Sequence, residues 1–444
     1  MQIDLRSYLA SVKKSGDLAV IKRRVSTKYE IAAITARLDG SKAVLFENIK
    51  GKNFRVVTNL VGTKARFAKA VSATESTINH KIIHAIRNAT KPKIIRKGKF
   101  MKNRSKSISI LPIVTHFENE PGPFITSSVV YTKNQETKNQ NSSFHRLLPL
   151  DGKHFSVRMV EGRHLHKSFT YAKDHGEDLK VAITIGIHPA ISIAGAYQAD
   201  WGKDELEIAN AILNKKLSLA KCPYSAMYVP SDTEIVMEGR ILKDKTHQEW
   251  MVEMLRTYDF KRKQPVFELE SLYYRDNPIF HDILSGYSEH RLLMGIPIEA
   301  KLNRGVKRDV PQTIQAVLTD GGCNWLHAVI QISKKNKNDP KKAIKSAFKT
   351  HRSLKSVIIV DDDIDPHDPV AVEYAMATRF QADKDLIIIK KVRGSSLDPS
   401  SDQKNLLTTK LGIDATKSFS KRKESFEIAK IPRQEKIFIK DYLT

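Results

Sequence analysis

The chain predicts an α/β fold with a β-rich middle, in which an α/β layer at each end flanks a central run of strands. Three observations carry this. Helix-period and strand-period segments alternate over the first fifty residues, as in an α/β layer. From about 108 to 273 the texture changes to short strands between Pro- and Gly-bearing turns, and from roughly 302 the alternation returns. At 444 residues the chain has room for roughly two or three domains with sizeable cores, and we divide it at 1–106, 107–300 and 301–444.

In order, the apolar spacing predicts a helix over 5–14, a strand over 18–21, a helix over 29–38 and a strand over 43–46. Ser26 and Thr27 supply an N-cap for the second helix, and Glu30 lies in its first turn, where a negative charge favours the helix dipole. Residues 59–71 read as a strand end, a Gly turn and a helix; the turn is not a phosphate loop, because the further glycines of such loops are missing. The basic stretch 91–106 reads as a connector. Beyond it, strands are expected at 108–114, 124–132, 155–160, 181–187, 226–229, 234–242 and 266–273, with a helix inserted at 203–213. The last third predicts strands at 313–318, 328–332, 357–360 and 386–389 and helices at 341–349 and 369–380, with a Gly321-Gly322 turn. The tail from 418 to 444 carries an apolar run suited to packing on a neighbouring subunit, so a homo-oligomer is expected.

Composition narrows the function. A hydrophobic content of 41% with 17 Phe and 13 Tyr marks a globular chain. No stretch approaches the ~20 apolar residues needed to span a bilayer, and the first 21 residues lack a signal-peptide core, so the expected location is the cytoplasm, with no membrane partner. Cys222 and Cys323 are too few and too far apart for a disulfide framework or a thiolate metal site, and both read as buried small hydrophobes. The 75 Lys plus Arg against 49 Asp plus Glu leave a net charge of +26. A nucleic-acid surface gathers its charge with aromatics for stacking. Here the lysines are spread through every segment, which fits attraction of an anionic small molecule or a lysine-rich proteome better than nucleic acid.

Asn141, His164 and Glu205 offer an amide oxygen, an imidazole nitrogen and a carboxylate, a hard N/O set suited to Mg²⁺ or Mn²⁺. A second carboxylate group, Asp361, Asp362, Asp363 and Asp365, follows a predicted strand, where α/β folds place sites; it reads equally as an acidic loop capping the helix at 369. Ser142, Ser143 and His145 make a poor hydrolase, because no GxSxG elbow is present. Glu289, His290 and Arg291 read as a solvated loop.

In order and spacing, the stretches NSSFHRLLPLD (141–151), EGRHL (161–165), VAITIGIHPAI (181–191), WGKDELEIANAIL (201–213), SDTEIVMEGRIL (231–242), VEML (252–255), PVFELESLYYRDNPIFH (265–281), VDDDIDPHDP (360–369), TRFQADKDL (378–386), GSSLDPSS (394–401) and GIDAT (412–416) resemble the UbiD family of decarboxylases. The likeness covers nearly the whole chain and is greatest to the archaeal branch proposed to decarboxylate trans-anhydromevalonate 5-phosphate to isopentenyl phosphate in the mevalonate route to isoprenoids. The resemblance implies a split β-barrel holding prenylated FMN, a flavin prenyltransferase as its supplier, and Mn²⁺ or Mg²⁺, with K⁺ as a possible further ion, on Asn141, His164 and Glu205. It puts the family's arginine, which also meets the cofactor, on Arg146 and the proton-donating glutamate on Glu253. It implies a phosphorylated acid as substrate, with an aromatic or polyprenyl acid as the alternative, and leaves the residues that meet the phosphate open, Arg393 being one candidate.

One motif departs from the pattern. Where many members read EGPFGE, this chain has Gln248, Glu249, Trp250, Met251, Val252 and Glu253. Either Gln248 keeps a hydrogen bond to Arg146 without charge, or a backbone shift brings Glu249 into its place; loss of activity is the third account. Trp250 and Val252 are bulkier than their counterparts, which implies a pocket unlike that of members acting on aromatic acids.

Overall fold

The computed structural model describes residues 3–197 and 199–443. It is a mixed α/β structure with four sheets. The first helix, Leu5–Lys14, turns Leu5, Tyr8, Leu9 and Val12 into the core at helical spacing, and Asp4 caps it by accepting from the Ser7 N–H at 2.8 Å. Glu30 in Glu30–Arg37 reaches back to the Ser26 N–H at 2.8 Å. Strands Leu18–Ile21, Ala43–Phe46 and Arg55–Thr58 form a sheet whose fourth strand, Ile279–His281, arrives from more than two hundred residues later and runs parallel to Arg55–Thr58. The first layer is therefore completed only when the middle of the chain has folded, and one apolar core joins Leu5 and Phe67 to Val129, Ala182 and Leu292.

The middle holds an eight-stranded antiparallel sheet, running from Gln140–Phe144 through Val129–Lys133, Leu179–Ile185, Ile235–Glu249, Arg262–Tyr274 and His154–Val157 to Leu147–Pro149, with Asn103–Ser105 as the eighth strand beside Arg262–Tyr274. An Ile125–Leu147 bridge brings the far edge back towards the segment before Val129, so the sheet curls around its own face. Its spine is the hairpin of Ile235–Glu249 with Arg262–Tyr274, shifted in register at Glu238/Gly239 and again between Leu242 and Thr246. Gly239 is required there: a Cβ would lie 1.9 Å from the Glu268 carbonyl oxygen. The last sheet has the order Thr313–Leu318, His327–Ile332, Ser356–Asp361, Leu407–Ala415, Leu386–Arg393. Helix Asp339–Thr350 covers it, and Pro369–Arg379 begins on the Asp368 cap.

Several expectations need correction. Residues 108–114 are not a strand: Ile108–Ile110 form a short 3₁₀ turn, Pro112 has no N–H for a ladder, and only Val114 bridges, to Phe124. The basic stretch 91–106 is not a free connector, since Lys93–Ile95 pairs with Ser218–Lys221 and Asn103–Ser105 with Arg262–Tyr274. Glu289, His290 and Arg291 are not a loop but the first turn of the 22-residue helix Ser288–Asp309, with Glu289 buried. That helix runs through 300, where the boundary was placed. Cys222 is buried; Cys323 is only half-buried, in a turn with φ 57°. No helix among the described residues is long and apolar enough to cross a membrane.

Candidate active site

The strand Gln140–Phe144 pairs with Val129–Lys133 in the register Thr132 to Asn141 and Val130 to Ser143. This sets Asn141 against the N-terminus of helix Glu205–Ile212, which Asp204 caps through the Leu206 N–H at 2.8 Å. The Asn141 amide lies 3.0 Å from both Glu205 oxygens and 3.1 Å from His164 Nδ1, and the Ser142 N–H donates to Glu205 at 2.8 Å. His164 opens helix His164–Asp174, with Nδ1 3.9 Å from Glu205 and the Trp201 ring edge-on at 5.1 Å. The three residues chosen from sequence thus meet at one point. Burial pushes the Glu205 carboxyl up to about 8. Burial first, then the Lys167 and Arg163 charges, holds His164 below its usual range, so its imidazole is neutral at pH 7.

Five residues along the same ribbon stands Arg146, whose side chain is 8% exposed. Its Nε and Nη2 grip Glu249 bidentately at 3.0 and 2.9 Å, Nη2 also donates to Asp259 at 3.2 Å, and Nη1 donates to Glu253. Burial alone would lower the guanidinium; Glu253 and Glu249 outweigh it and raise it, so the charge is permanent. The three carboxylates differ in access: the Glu249 side chain is 1% exposed, Asp259 6% and Glu253 21%. Glu249 and Asp259 anchor the guanidinium, and Glu253 is the one that opens outward. It sits on a tight turn in which its N–H donates to the Thr257 carbonyl at 2.8 Å and its own carbonyl accepts from Arg256 N–H at 2.9 Å.

The choice between Gln248 and Glu249 is settled by strand alternation. Glu249 pairs with Arg262 and points in; Gln248 pairs with Lys263 and is exposed, so the expectation that Gln248 belongs to the site is corrected. Asp259 was missed because nothing in the sequence marks it; it is also held by Arg262 at 3.2 Å. Arg393 is exposed on the edge strand Leu386–Arg393, which gives it no standing as a phosphate ligand of this site. Ser143 and His145 do meet, Oγ to Nε2 at 2.8 Å, but Nδ1 donates to the Arg158 carbonyl at 2.8 Å, so no carboxylate orients the ring. Burial lowers His145 to about 4.

Matches to family models cover most of the chain: the 3-octaprenyl-4-hydroxybenzoate carboxy-lyase N-terminal domain over 9–86, its Rift-related domain over 91–288 and its C-terminal domain over 291–415. Similar proteins include the anhydromevalonate phosphate decarboxylases of Methanocaldococcus jannaschii, 40% identical over 93% of this chain and 97% of that one, and of Methanothermobacter thermautotrophicus, 37% identical over 93% and 96%. The chain belongs to the UbiD family. The structure of the UbiD-class enzyme HmfF from Pelotomaculum thermopropionicum in complex with FMN superposes with a TM-score of 0.95 at 36% identity, covering 99% of this chain and 100% of that one. An evolved dimeric form of the same enzyme, in complex with prFMN, gives 0.92 at 34% identity, with full coverage of both chains.

In this UbiD-family decarboxylase the aspartate run is engaged by basic side chains. Arg379, 1% exposed, donates to Asp361 at 2.7 Å and to both oxygens of Asp363 at 2.8 Å, and Lys417 adds an ion pair to Asp363 at 2.7 Å. Asp361 and Asp363 are committed to ion pairs, while Asp362 accepts from the Ser333 hydroxyl and Asp365 from the His367 N–H. Among the described residues no group of three or more His, Cys, Asp and Glu gathers in metal-holding geometry. The Arg379 hydrogen bonds are the main cause of an Asp363 carboxyl held down at about 2, so its contribution to stability is present above the usual carboxylate range and is lost as pH falls towards 2. Arg379→Ala is expected to cost roughly 3 kcal/mol in a denaturant titration, because it leaves a buried carboxylate short of its partner, and to leave bound metal unchanged. A drop in metal content would restore the aspartates as a metal site.

Proposed function

We propose that the chain decarboxylates trans-anhydromevalonate 5-phosphate to isopentenyl phosphate in the mevalonate pathway, using prenylated FMN supplied by a flavin prenyltransferase and secured through Mn²⁺ or Mg²⁺, with K⁺ as a possible further ion, at Asn141, His164 and Glu205. The curled middle sheet acts as the split barrel around the flavin. The single observation that carries the reading is the Arg146 cluster with one open carboxylate, five residues from a convergent Asn, His and Glu set, in a chain 40% identical to an anhydromevalonate phosphate decarboxylase. The trio fits a divalent ion: Glu205 is buried without a cation against it, and all three donors are hard.

Loss of CO₂ from an unsaturated acid leaves an electron pair on C2 with no side chain able to accept it, and the modified flavin supplies that electron sink. The protein supplies placement and the proton. Glu249 and Asp259 fix the guanidinium of Arg146, which in turn fixes Glu253. Of the five Arg146 N–H donors four are taken by these carboxylates, so its main task is to orient Glu253 rather than to bind substrate. Once the C1–C2 bond has broken and CO₂ has left, Glu253 gives its proton to C2 and is reprotonated from solvent through its open edge. The decisive test is an assay of cofactor-loaded protein for CO₂ and isopentenyl phosphate. Turnover of aromatic or polyprenyl acids but not of the phosphorylated acid would overturn the substrate assignment.

Homo-oligomerisation belongs to the same proposal. In the tail, Phe419, Ile431, Phe438, Ile439 and Leu443 are 59 to 73% exposed, an apolar surface suited to a second copy of the chain; Thr444 lies outside the described residues. Deleting 418–444 is expected to shift the protein to monomer in light scattering. An unchanged mass would remove the tail from the interface.

A further inference from the structure

We infer that Arg291, aided by His290, forms the subsite for the phosphate of the substrate, an inference that rests on the reading that this enzyme takes a phosphorylated unsaturated acid. Arg291 is half-buried in the first turn of helix Ser288–Asp309. Its Nε is buried without a hydrogen-bond acceptor, and no carboxylate lies within ion-pair distance of its guanidinium among the described residues. A buried guanidinium donor is costly unless something accepts from it, so the position calls for an anion the chain does not provide.

The place of this cation matters. The segment leading into the helix is locked to the turn that carries Glu253. Arg256 Nε donates to the Gly286 carbonyl at 3.0 Å and its guanidinium lies 4.0 Å over the Tyr287 ring. Gly286, at φ 75°, is so close that a Cβ would stand 3.0 Å from the Glu253 carbonyl oxygen. Burial first, then the charges of Arg146 and Arg291, depress His290 to about 4, so its imidazole is neutral. Its Nδ1 accepts from the Gly286 N–H at 3.1 Å, which puts the ring proton on Nε2 as a further donor. Glu289, the acid beside it, is turned away to the Val61 N–H and His281, both at 3.2 Å.

The two arginines thus belong to segments that are locked together at Gly286, and they carry opposite assignments. Arg146 is saturated by its own carboxylates. Arg291 is not, and a planar fork with free donors suits a phosphate. A cation gripping the substrate's carboxylate would oppose its loss as neutral CO₂, whereas a phosphate keeps its charge from substrate to product. Arg291 therefore serves the group that does not react, and binding of that kind acts on KM more than on kcat.

The test uses cofactor-loaded wild type, R291Q and R291K on a matched pair of unsaturated acids, one with a terminal phosphate and one with the free hydroxyl. In R291Q the preference for the phosphorylated acid, as a ratio of kcat/KM values, should fall ~10²-fold, chiefly through KM, with part of it recovered in R291K. In parallel, a short saturated phosphocarboxylic acid titrated into the loaded protein should perturb the flavin absorbance of wild type at concentrations that leave R291Q unmoved. An unchanged preference ratio, equal titration of both proteins, or loss of bound flavin in R291Q overturns the subsite. If wild type turns over neither acid, the functional reading fails, and the titration alone then decides the subsite.

Discussion

Glu253→Gln should abolish turnover while flavin and metal stay bound. A carboxamide of the same shape keeps a hydrogen bond to Arg146 but has no proton to give C2, and loss of a general acid typically costs ~10² to 10⁴ in rate. The structure makes the neighbours controls. Glu249 is 1% exposed and clamps Arg146 with two bonds, so Glu249→Gln should lower kcat through a misplaced Arg146 but leave a measurable rate. Gln248→Glu adds a charge on the exposed side of the strand, opposite in direction to Glu249, and should leave turnover unchanged. Rates from purified, cofactor-loaded variants separate the cases: if Glu253→Gln turns over like wild type while Glu249→Gln is dead, Glu249 is the acid.

What the sequence made legible follows the strength of local periodicity. Helix Leu5–Lys14 and the strands of the first layer carry clean patterns and appear where expected. Gln140–Phe144, the strand on which the site is built, was not read as one, because its residues are polar on both faces: Asn141 and Ser143 stand on one side and Ser142, between them, on the other. Helix Pro189–Ala196 was hidden for the opposite reason, since nearly all its residues are buried and no polar face gives it a period. For the proposed site, motif order singled out Asn141, His164, Glu205, Arg146 and Glu253; the first three side chains lie together, and Arg146 meets Glu253 five residues along the chain from Asn141. The sequence was silent on Asp259, and Arg291 read only as part of a solvated loop. Their significance lies in which charge is answered and which is not, a property of packing across segments that no spacing records.

His164→Ala should strip the protein of both metal and flavin. The argument rests on the trio's geometry and on what surrounds it. Asn141 and Glu205 remain 3.0 Å apart in the variant, but two donors make a weak site for a hard divalent ion that takes six or more oxygen or nitrogen ligands in all. Changes to residues that only support a metal site cost 10- to 100-fold in affinity, so removal of a ligand is expected to cost ~10²-fold or more. If the ion bridges Asn141, His164 and Glu205 to the flavin phosphate, flavin is lost along with it. Glu205→Gln gives the sharper form of the test. It keeps a hydrogen-bonding side chain on Asn141 and the Ser142 N–H, removes the charge that burial makes costly, and so should leave the fold as stable as wild type or more so while emptying the site. Metal analysis by mass spectrometry, the flavin absorbance of the purified variants and their thermal melting distinguish the outcomes. Loss of metal and flavin with an intact melt is the expected result; wild-type content of both in either variant would remove the trio from the cofactor site.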